Sequence, residues 1–229
     1  MTKRSIIFGS LTALAVLAST PSSAEIESLD ARVAEGRALL ETKQWAEAEA
    51  RFNAACKAGV GQGCYYEATT IYRSRFSVEN LATVYALKEK SCSLKYGQGC
   101  YSIAIDYRSG SQGLDIDKVK GNGFMERSCT LGWGSGCWAR ATDFEYGFND
   151  EAKDEAKAFS YYKKGCDAKQ PSAEACKELA VFHAEGKSTR QDLDAAVKSI
   201  TRAYELSPED TEIQMIGRVL MQKKAEAGQ

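Results

Sequence analysis

The residues most able to do chemistry in this sequence are eight cysteines, which fall into four pairs. In three pairs the cysteines stand eight positions apart with a Gly-x-Gly before the second, and in the last pair they stand ten apart. The pairs are Cys56 with Cys64, Cys92 with Cys100, Cys129 with Cys137, and Cys166 with Cys176. Because the sequence contains no Cys-x-x-Cys, neither a zinc knuckle nor a thioredoxin-type redox site is indicated. We expect local structural disulfides.

The first residues predict the compartment in which these cysteines would pair. Lys3 and Arg4 precede an apolar run over residues 6–18, and a small-x-small motif ends at Ala24. This pattern predicts a cleaved signal peptide over residues 1–24, since a membrane anchor needs roughly 20 apolar residues. Export to the periplasm, or secretion, gives an oxidising environment that permits disulfides. After cleavage we expect residues 25–229 to form one repeat domain without stable membrane insertion.

The composition favours an ordered, helical protein. Of the 229 residues, 44% are hydrophobic and three are prolines, and the net charge is −1. With no excess of basic residues, neither nucleic acid nor an anionic membrane is expected as a partner.

The cysteine pairs recur with a fixed period, because their first members are 36 or 37 residues apart. Such a period is typical of stacked helical hairpins. Eight steps along an unbroken helix cover about 12 Å, whereas a disulfide needs Cα atoms within about 7 Å. The chain must therefore reverse between paired cysteines. We expect the Gly-x-Gly glycines to make this break in a left-handed conformation, and Ser172 to begin the helix after Pro171 in the fourth pair.

Aligning the repeats on their second cysteine predicts the helices that follow. The residue four positions on is always alanine, and the residues seven positions on are Ile71, Tyr107, Phe144 and His183. These positions form one buried helical stripe, and the residues ten positions on end the helix: Ser74, Gly110, Gly147 and Gly186. Second helices are expected at 81–94, 117–131 and 151–168, the third capped by Asn149. Further helices are expected at 27–41 and 45–58 before the first junction, and, without cysteines, up to residue 206 and again from Ser207-Pro208.

The repeat Cys-x-x-x-Ala-x-x-[Tyr/Phe/His]-x-x-[Gly/Ser], with a cysteine eight or ten positions earlier, resembles the Sel-one-like repeat (SLR) family. More narrowly it is similar to the Hcp-type cysteine-rich secreted branch, over about residues 45–206, and the ends resemble tetratricopeptide repeats. The resemblance implies an all-α, right-handed α-solenoid of stacked hairpins with one local disulfide per central repeat. It also implies an adaptor that holds a protein or peptide partner. Two alternatives are a weak penicillin-binding or β-lactamase-like hydrolase and a secreted effector.

The residues give the hydrolase alternative little support. Penicillin-recognising serine enzymes combine Ser-x-x-Lys with Lys-Thr-Gly, and this chain has Ser160-Tyr-Tyr-Lys163 without Lys-Thr-Gly. The single histidine, His183, cannot supply a zinc cluster and occupies a position expected to be packed. We predict no catalytic residue, metal or cofactor, although enzyme activity stays an open alternative.

A binding surface is predicted beside the cysteine stripe, at positions +1, +5 and +8, which line the concave face of tetratricopeptide-like stacks. Aromatic residues and arginine are typical anchors of protein interfaces. Thr69, Ile105 and Thr142 share this second stripe. The alternative is that the +1 aromatics only pack between adjacent hairpins. The predicted partner-binding residues are Tyr65, Tyr72, Tyr101, Arg108, Trp138 and Glu145.

Overall fold

The computed structural model describes residues 23–228, which form eleven α-helices and one short 3-10 helix, Ser111–Gly113. No β-strand occurs among these residues. The predicted signal peptide lies outside them except for its last two residues, which begin the first helix. The helices are α1 Ser23–Glu41, α2 Trp45–Lys57, α3 Gly61–Ser74, α4 Val78–Ser93, α5 Gly97–Ser109, α6 Lys118–Thr130, α7 Gly134–Tyr146, α8 Glu155–Cys166, α9 Ala173–Glu185, α10 Leu193–Leu206 and α11 Thr211–Ala227.

The helices pack as a stack of hairpins, which confirms the predicted α-solenoid. The hairpins are α1/α2, α3/α4, α5/α6, α7/α8 and α9/α10, and α11 closes the stack as a single helix against α10. The odd-numbered helices of neighbouring hairpins contact one another directly along the stack. They therefore form its inner side, and the even-numbered helices lie outside them.

The core follows the repeat register. The alanines four positions after the second cysteines, Ala68, Ala104, Ala141 and Ala180, are wholly inaccessible. Small residues at these positions let the next helix approach closely. At the last helix, Ile213 and Leu220 are buried and Ile216 is half-buried, so α11 covers the end of the core with one apolar face, as the sequence predicts.

Four disulfides join successive hairpins, each linking the end of an even-numbered helix to the start of the next odd-numbered helix. The bonded pairs are those that the spacing predicts: Cys56 with Cys64, Cys92 with Cys100, Cys129 with Cys137, and Cys166 with Cys176. Their Cα–Cα distances are 4.5–4.6 Å, within the range that a disulfide needs. We call these four connections the stapled junctions.

The cysteines are part of the core as well as covalent links. All eight are buried, and the second members of the pairs are almost completely inaccessible: Cys64, Cys100, Cys137 and Cys176. These four stand in the first turns of α3, α5, α7 and α9. In the last of these helices the Ser172 side chain caps the start by accepting from Ala175 N, as predicted.

The role predicted for the Gly-x-Gly glycines is wrong. They lie in the first turns of α3, α5 and α7, and the left-handed residues of the junctions are instead Gly59, Lys95 and Gly132. The Gly-x-Gly glycines serve close packing. A Cβ atom added at Gly99 would overlap the Ser91 Oγ atom, so only glycine fits there without a shift of the neighbouring helix.

The stapled junctions are also bonded to one another along one edge of the stack. The Ser91 hydroxyl donates to the Gly61 carbonyl at 2.7 Å, and the Ser128 hydroxyl donates to the Gly97 carbonyl at 2.8 Å. At the last junction Gly134 N donates to the Gln170 carbonyl at 2.8 Å. Each junction thereby contacts the next one along the chain.

The turns inside the hairpins are built differently. Gly110, Gly147 and Gly186 end their helices in the left-handed conformation, as predicted. The helix that follows is then capped by Asp117, Asp154 or Asp192, whose side chain accepts a backbone N–H three residues on. We call these connections the capped turns.

Two predicted helix starts are wrong for the same reason. Asp154, not Asn149, caps α8, because Asn149 has a φ of 51° and its amide donates to Asp143. Asp210 caps α11, so Ser207 and Pro208 lie before the helix. In both places the carboxylate of an aspartate further along the chain accepts hydrogen bonds from the free N–H groups at the start of the helix.

Candidate binding surface

The second stripe runs along α3, α5 and α7 on the inner side of the stack. Its most exposed large residues are Tyr72 and Ile105, at 39% and 41%. Tyr65, Tyr101 and Trp138, the aromatics directly after the cysteines, are half-buried. The stripe is thus accessible mainly on α3 and α5.

Two adjoining pockets open beside this part of the stripe. The larger, about 300 Å³, lies between α3, α4 and α5, and the smaller, about 220 Å³, lies between α3, α5 and the α6–α7 junction. Both are lined by Ser102 and Asp106 of α5, so they adjoin at that helix. The remaining lining residues are Thr69, Tyr72, Val84, Tyr85, Lys88 and Ser111 in the larger pocket, and Tyr65, Gln98, Tyr101, Ile105 and Trp133 in the smaller.

An ion pair lies in the larger pocket. The Lys88 Nζ atom is 2.6 Å from the Asp106 Oδ2 atom, and both side chains are largely buried. Burial raises the pKa of Asp106, and the hydrogen bond from Lys88 opposes that rise. The larger pocket therefore contains one paired positive and negative charge, surrounded by hydroxyl and aromatic groups.

The half-buried aromatics have packing roles as well as accessible surface. The ring of Tyr65 contacts those of Tyr66 and Tyr96 at centroid distances of 5.2 Å and 5.7 Å, and its hydroxyl accepts a hydrogen bond from Gln98. Burial raises the pKa of Tyr65. These contacts join successive hairpins, as the packing alternative predicts, while the same ring lines the smaller pocket.

Tyr101 and Trp138 occupy the same kind of position. Both pack against the cluster of Ala104, Met125 and Ala139, and Trp138 also contacts the larger core at the C-terminal end of the stack. Burial raises the pKa of the Tyr101 hydroxyl.

Arg108 and Glu145 turn inward. Arg108 Nη2 is 2.6 Å from Asp143 Oδ2 in the next hairpin, and its side chain is 10% exposed. Burial lowers the pKa of Arg108, opposed by the charge of Asp143. Glu145 accepts a hydrogen bond of 2.6 Å from the Tyr162 hydroxyl, and its side chain is 11% exposed. These two predicted partner-binding residues hold neighbouring helices together.

Several pocket residues were not predicted from the sequence, above all Ser102, Lys88 and Asp106. A signal for Asp106 exists, since an aspartate stands six positions after the second cysteine in two repeats, at Asp106 and Asp143. Both are buried in ion pairs. The lysine partner comes from another helix and has no fixed register.

The serine and lysine considered for hydrolysis lie on α8. Ser160 and Lys163 are exposed, and the Lys163 ammonium is 2.6 Å from the Asp167 carboxylate. Within residues 23–228 no cluster of three or more potential metal ligands is found. In the same part of the chain, no helix has the length and apolarity required to cross a membrane.

Solved structures identify the fold. A Sel1 repeat protein from Oxalobacter formigenes is 21% identical with a TM-score of 0.65, over 77% of this chain and 49% of that one. A protective antigen from uropathogenic Escherichia coli, described as displaying an SLR fold, is 16% identical with a TM-score of 0.63, over 90% and 48%. This chain thus has the SLR fold and spans about half the length of those two proteins. No protein-family model and no curated protein matches it.

The disulfides indicate the kind of compartment. All the cysteines in the chain are bonded, and disulfides persist in oxidising, extracytoplasmic environments rather than in the cytosol.

Proposed function

We propose that this chain is an exported interaction scaffold that binds an extended segment of a protein partner on its inner face, across α3 and α5. The observation that carries the proposal is the pair of adjoining pockets beside the second stripe. Their walls combine tyrosine rings with hydroxyl and amide groups, which are typical of surfaces that bind peptides through apolar anchors and hydrogen bonds. The SLR fold supports a repeat scaffold of this kind.

Within this proposal the six predicted residues divide into two roles. Tyr65, Tyr72 and Tyr101 contact the partner, because each lines one of the pockets. Ile105 joins them as an exposed apolar contact. Arg108, Trp138 and Glu145 support the surface from behind, through contacts to neighbouring helices.

Site-specific photo-crosslinking in the native envelope tests the surface. A photoreactive phenylalanine analogue replaces Tyr72 or Ile105, which both lie on the stripe and are partly exposed. We expect both positions to crosslink the same protein after irradiation, identified by mass spectrometry. The matched control is Tyr146, a tyrosine of α7 that is 50% exposed and lines neither pocket.

Alanine substitution gives the second measurement. Tyr72→Ala and Ile105→Ala are expected to abolish capture of the crosslinked partner with helix content unchanged, whereas Tyr146→Ala leaves capture intact. Equal crosslinking from Tyr146, or full capture by the double variant that carries both Tyr72→Ala and Ile105→Ala, would show that the inner face is not the binding surface.

Export is tested separately. We expect the mature protein to begin at Glu25 and to be recovered from the periplasm, measured by N-terminal sequencing of fractionated cells. Recovery mainly from the medium would favour the secreted effector instead.

A further inference from the structure

A separate depression lies at the other side of the solenoid, between the outer helices α8 and α10, with α9 as its floor. Its volume is about 560 Å³, within the range of small-molecule sites. Leu179 and His183 of α9 lie at the floor, and Ala195 of α10 is at the wall. We call this depression the outer cleft. It shares no residue with the two inner pockets.

The outer cleft is lined by the residue seven positions after the second cysteine. In the second stapled repeat that residue is Tyr107, whose hydroxyl bonds to Glu89 of α4 and to Lys120 of α6. It thereby spans the gap between two outer helices. In the fourth the residue is His183, a smaller side chain whose ring contacts Phe159 of α8 edge-on at 5.3 Å.

His183 also leaves a polar atom without a partner. Its Nδ1 atom is buried and makes no hydrogen bond to any described residue. A buried polar atom without a partner carries a desolvation cost. The His183 imidazole lines the outer cleft, so a bound molecule can change its surroundings directly.

Not every cationic side chain around the outer cleft is paired with a carboxylate. Lys163 is paired with Asp167 at 2.6 Å. Lys198 has no ion-pair partner among residues 23–228, and Arg202 uses its Nε atom to donate to the Cys166 carbonyl at 3.0 Å. Glu205 is the remaining acidic residue of the lining. Two positively charged side chains on successive turns of α10, Lys198 and Arg202, therefore line the cleft, and Glu205 is the one acidic residue that opposes their charge.

We propose that the outer cleft binds a small carboxylate that carries an apolar group. The carboxylate lies at Lys198 and Arg202, where charge-assisted hydrogen bonds form, and the apolar group lies over Leu179 against the His183 ring. A monoanion suits this site better than a phosphate dianion, because Glu205 and Asp167 limit the positive charge. The site does not depend on the inner-face scaffold function.

The test uses the fact that His183 is the single histidine of the chain. In protein prepared without a histidine tag, its imidazole NMR signals report on the outer cleft alone. The probe is 3-phenylpropionate, with the neutral 3-phenylpropionamide and the small anion acetate as comparisons. We expect 3-phenylpropionate to shift the His183 signals saturably, and both comparison compounds to shift them far less. A shift equal to that caused by the amide or by acetate would overturn the proposal, as would no saturable shift.

Variants assign the contacts. Lys198→Met, at a lysine without an ion-pair partner in the described part of the chain, is expected to weaken 3-phenylpropionate binding about tenfold or more, as for the loss of a charge-assisted hydrogen bond. Lys223→Gln, at an exposed lysine of α11 outside the cleft, is the matched control and should bind normally. His183→Phe places in the cleft the side chain found in the third repeat and should abolish binding measured by calorimetry. Unchanged binding by either Lys198→Met or His183→Phe would contradict the proposal.

Discussion

The stapled junctions and the capped turns connect the same helices in opposite ways. At a stapled junction a covalent bond and close-packed glycines hold two hairpins together. At a capped turn a left-handed glycine and an aspartate side chain satisfy the free backbone groups of two helix ends. The difference teaches that the contact between hairpins is reinforced by a covalent bond, whereas the hairpin itself is held by apolar packing, caps and a serine hydroxyl bond.

The largest expected effect comes from reducing the stapled junctions. Each disulfide closes a loop of about nine residues and contributes about 2.5 kcal/mol in the chain-entropy model. Four bridges together approach the whole stability of a typical domain, about 5–15 kcal/mol. We expect reduced and alkylated protein to lose most of its helical circular dichroism signal at 25 °C, or to unfold at a much lower urea concentration. Protein treated with the alkylating agent alone is the control, and an unchanged urea midpoint after reduction would contradict the comparison.

A smaller effect is expected from filling one junction glycine. Gly99→Ala places a Cβ atom against Ser91, so it should lower the free energy of unfolding by about 1–3 kcal/mol. Gly123→Ala on α6 is the matched control, because a Cβ atom there meets no atom within 4 Å. It should raise stability by about 0.5–1 kcal/mol, since alanine favours the helix. Urea unfolding measures both, and equal effects would show that the junction tolerates a methyl group.

A substitution at a capped turn should lower the free energy of unfolding by less. Asp117→Ala removes the carboxylate that accepts from Lys120 N at 2.8 Å and should cost about 1 kcal/mol of stability. Asp115→Ala, two residues earlier and exposed, is the control. A loss by Asp117→Ala larger than that caused by Gly99→Ala would reverse the order expected for turn and junction.

The smallest effect concerns pH at the last hairpin. Burial lowers the pKa of His183, opposed by Asp192, and Lys163 lowers it further; Lys198, Arg202, Asp167 and Glu205 line the same cleft. Since the folded pKa lies below the unfolded value, the stabilisation is present above the unfolded pKa and is lost as the pH falls through the folded pKa. We expect the free energy of unfolding to fall between pH 7 and pH 5, measured by urea titration. His183→Phe should lose that part of the pH dependence, and an identical slope would contradict the assignment.

The stack of helical hairpins could be predicted because the regular spacing of the cysteine pairs and the alanine four positions after each second cysteine both indicate one local structure that repeats along the chain. The same spacing predicts which cysteines bond, since Cys64, Cys100, Cys137 and Cys176 each begin the helix that follows their partner. The conformation of the junction loop could not be predicted. Its left-handed position holds glycine at Gly59 and Gly132 but lysine at Lys95, so residue type does not mark it.

The inner surface could be predicted only in outline. Helical spacing places Tyr72 and Ile105 at accessible positions, because it depends on one helix alone. It cannot foresee that Arg108 meets Asp143 or that Glu145 meets Tyr162, since each partner lies on another helix. The outer cleft is hidden from the sequence for a similar reason. The register predicts that His183 is packed, and nothing local indicates that the space beside it stays open.

The four disulfides of the stapled junctions have a mechanical consequence. Under tension applied to the chain ends, the residues enclosed by each disulfide cannot extend, because the force passes through the sulfur atoms. The cysteine-free α1 and α11 can peel away without meeting any such bond. A pulled molecule should therefore lengthen first at its two ends, and the hairpins between them should extend by less than their residue count would allow.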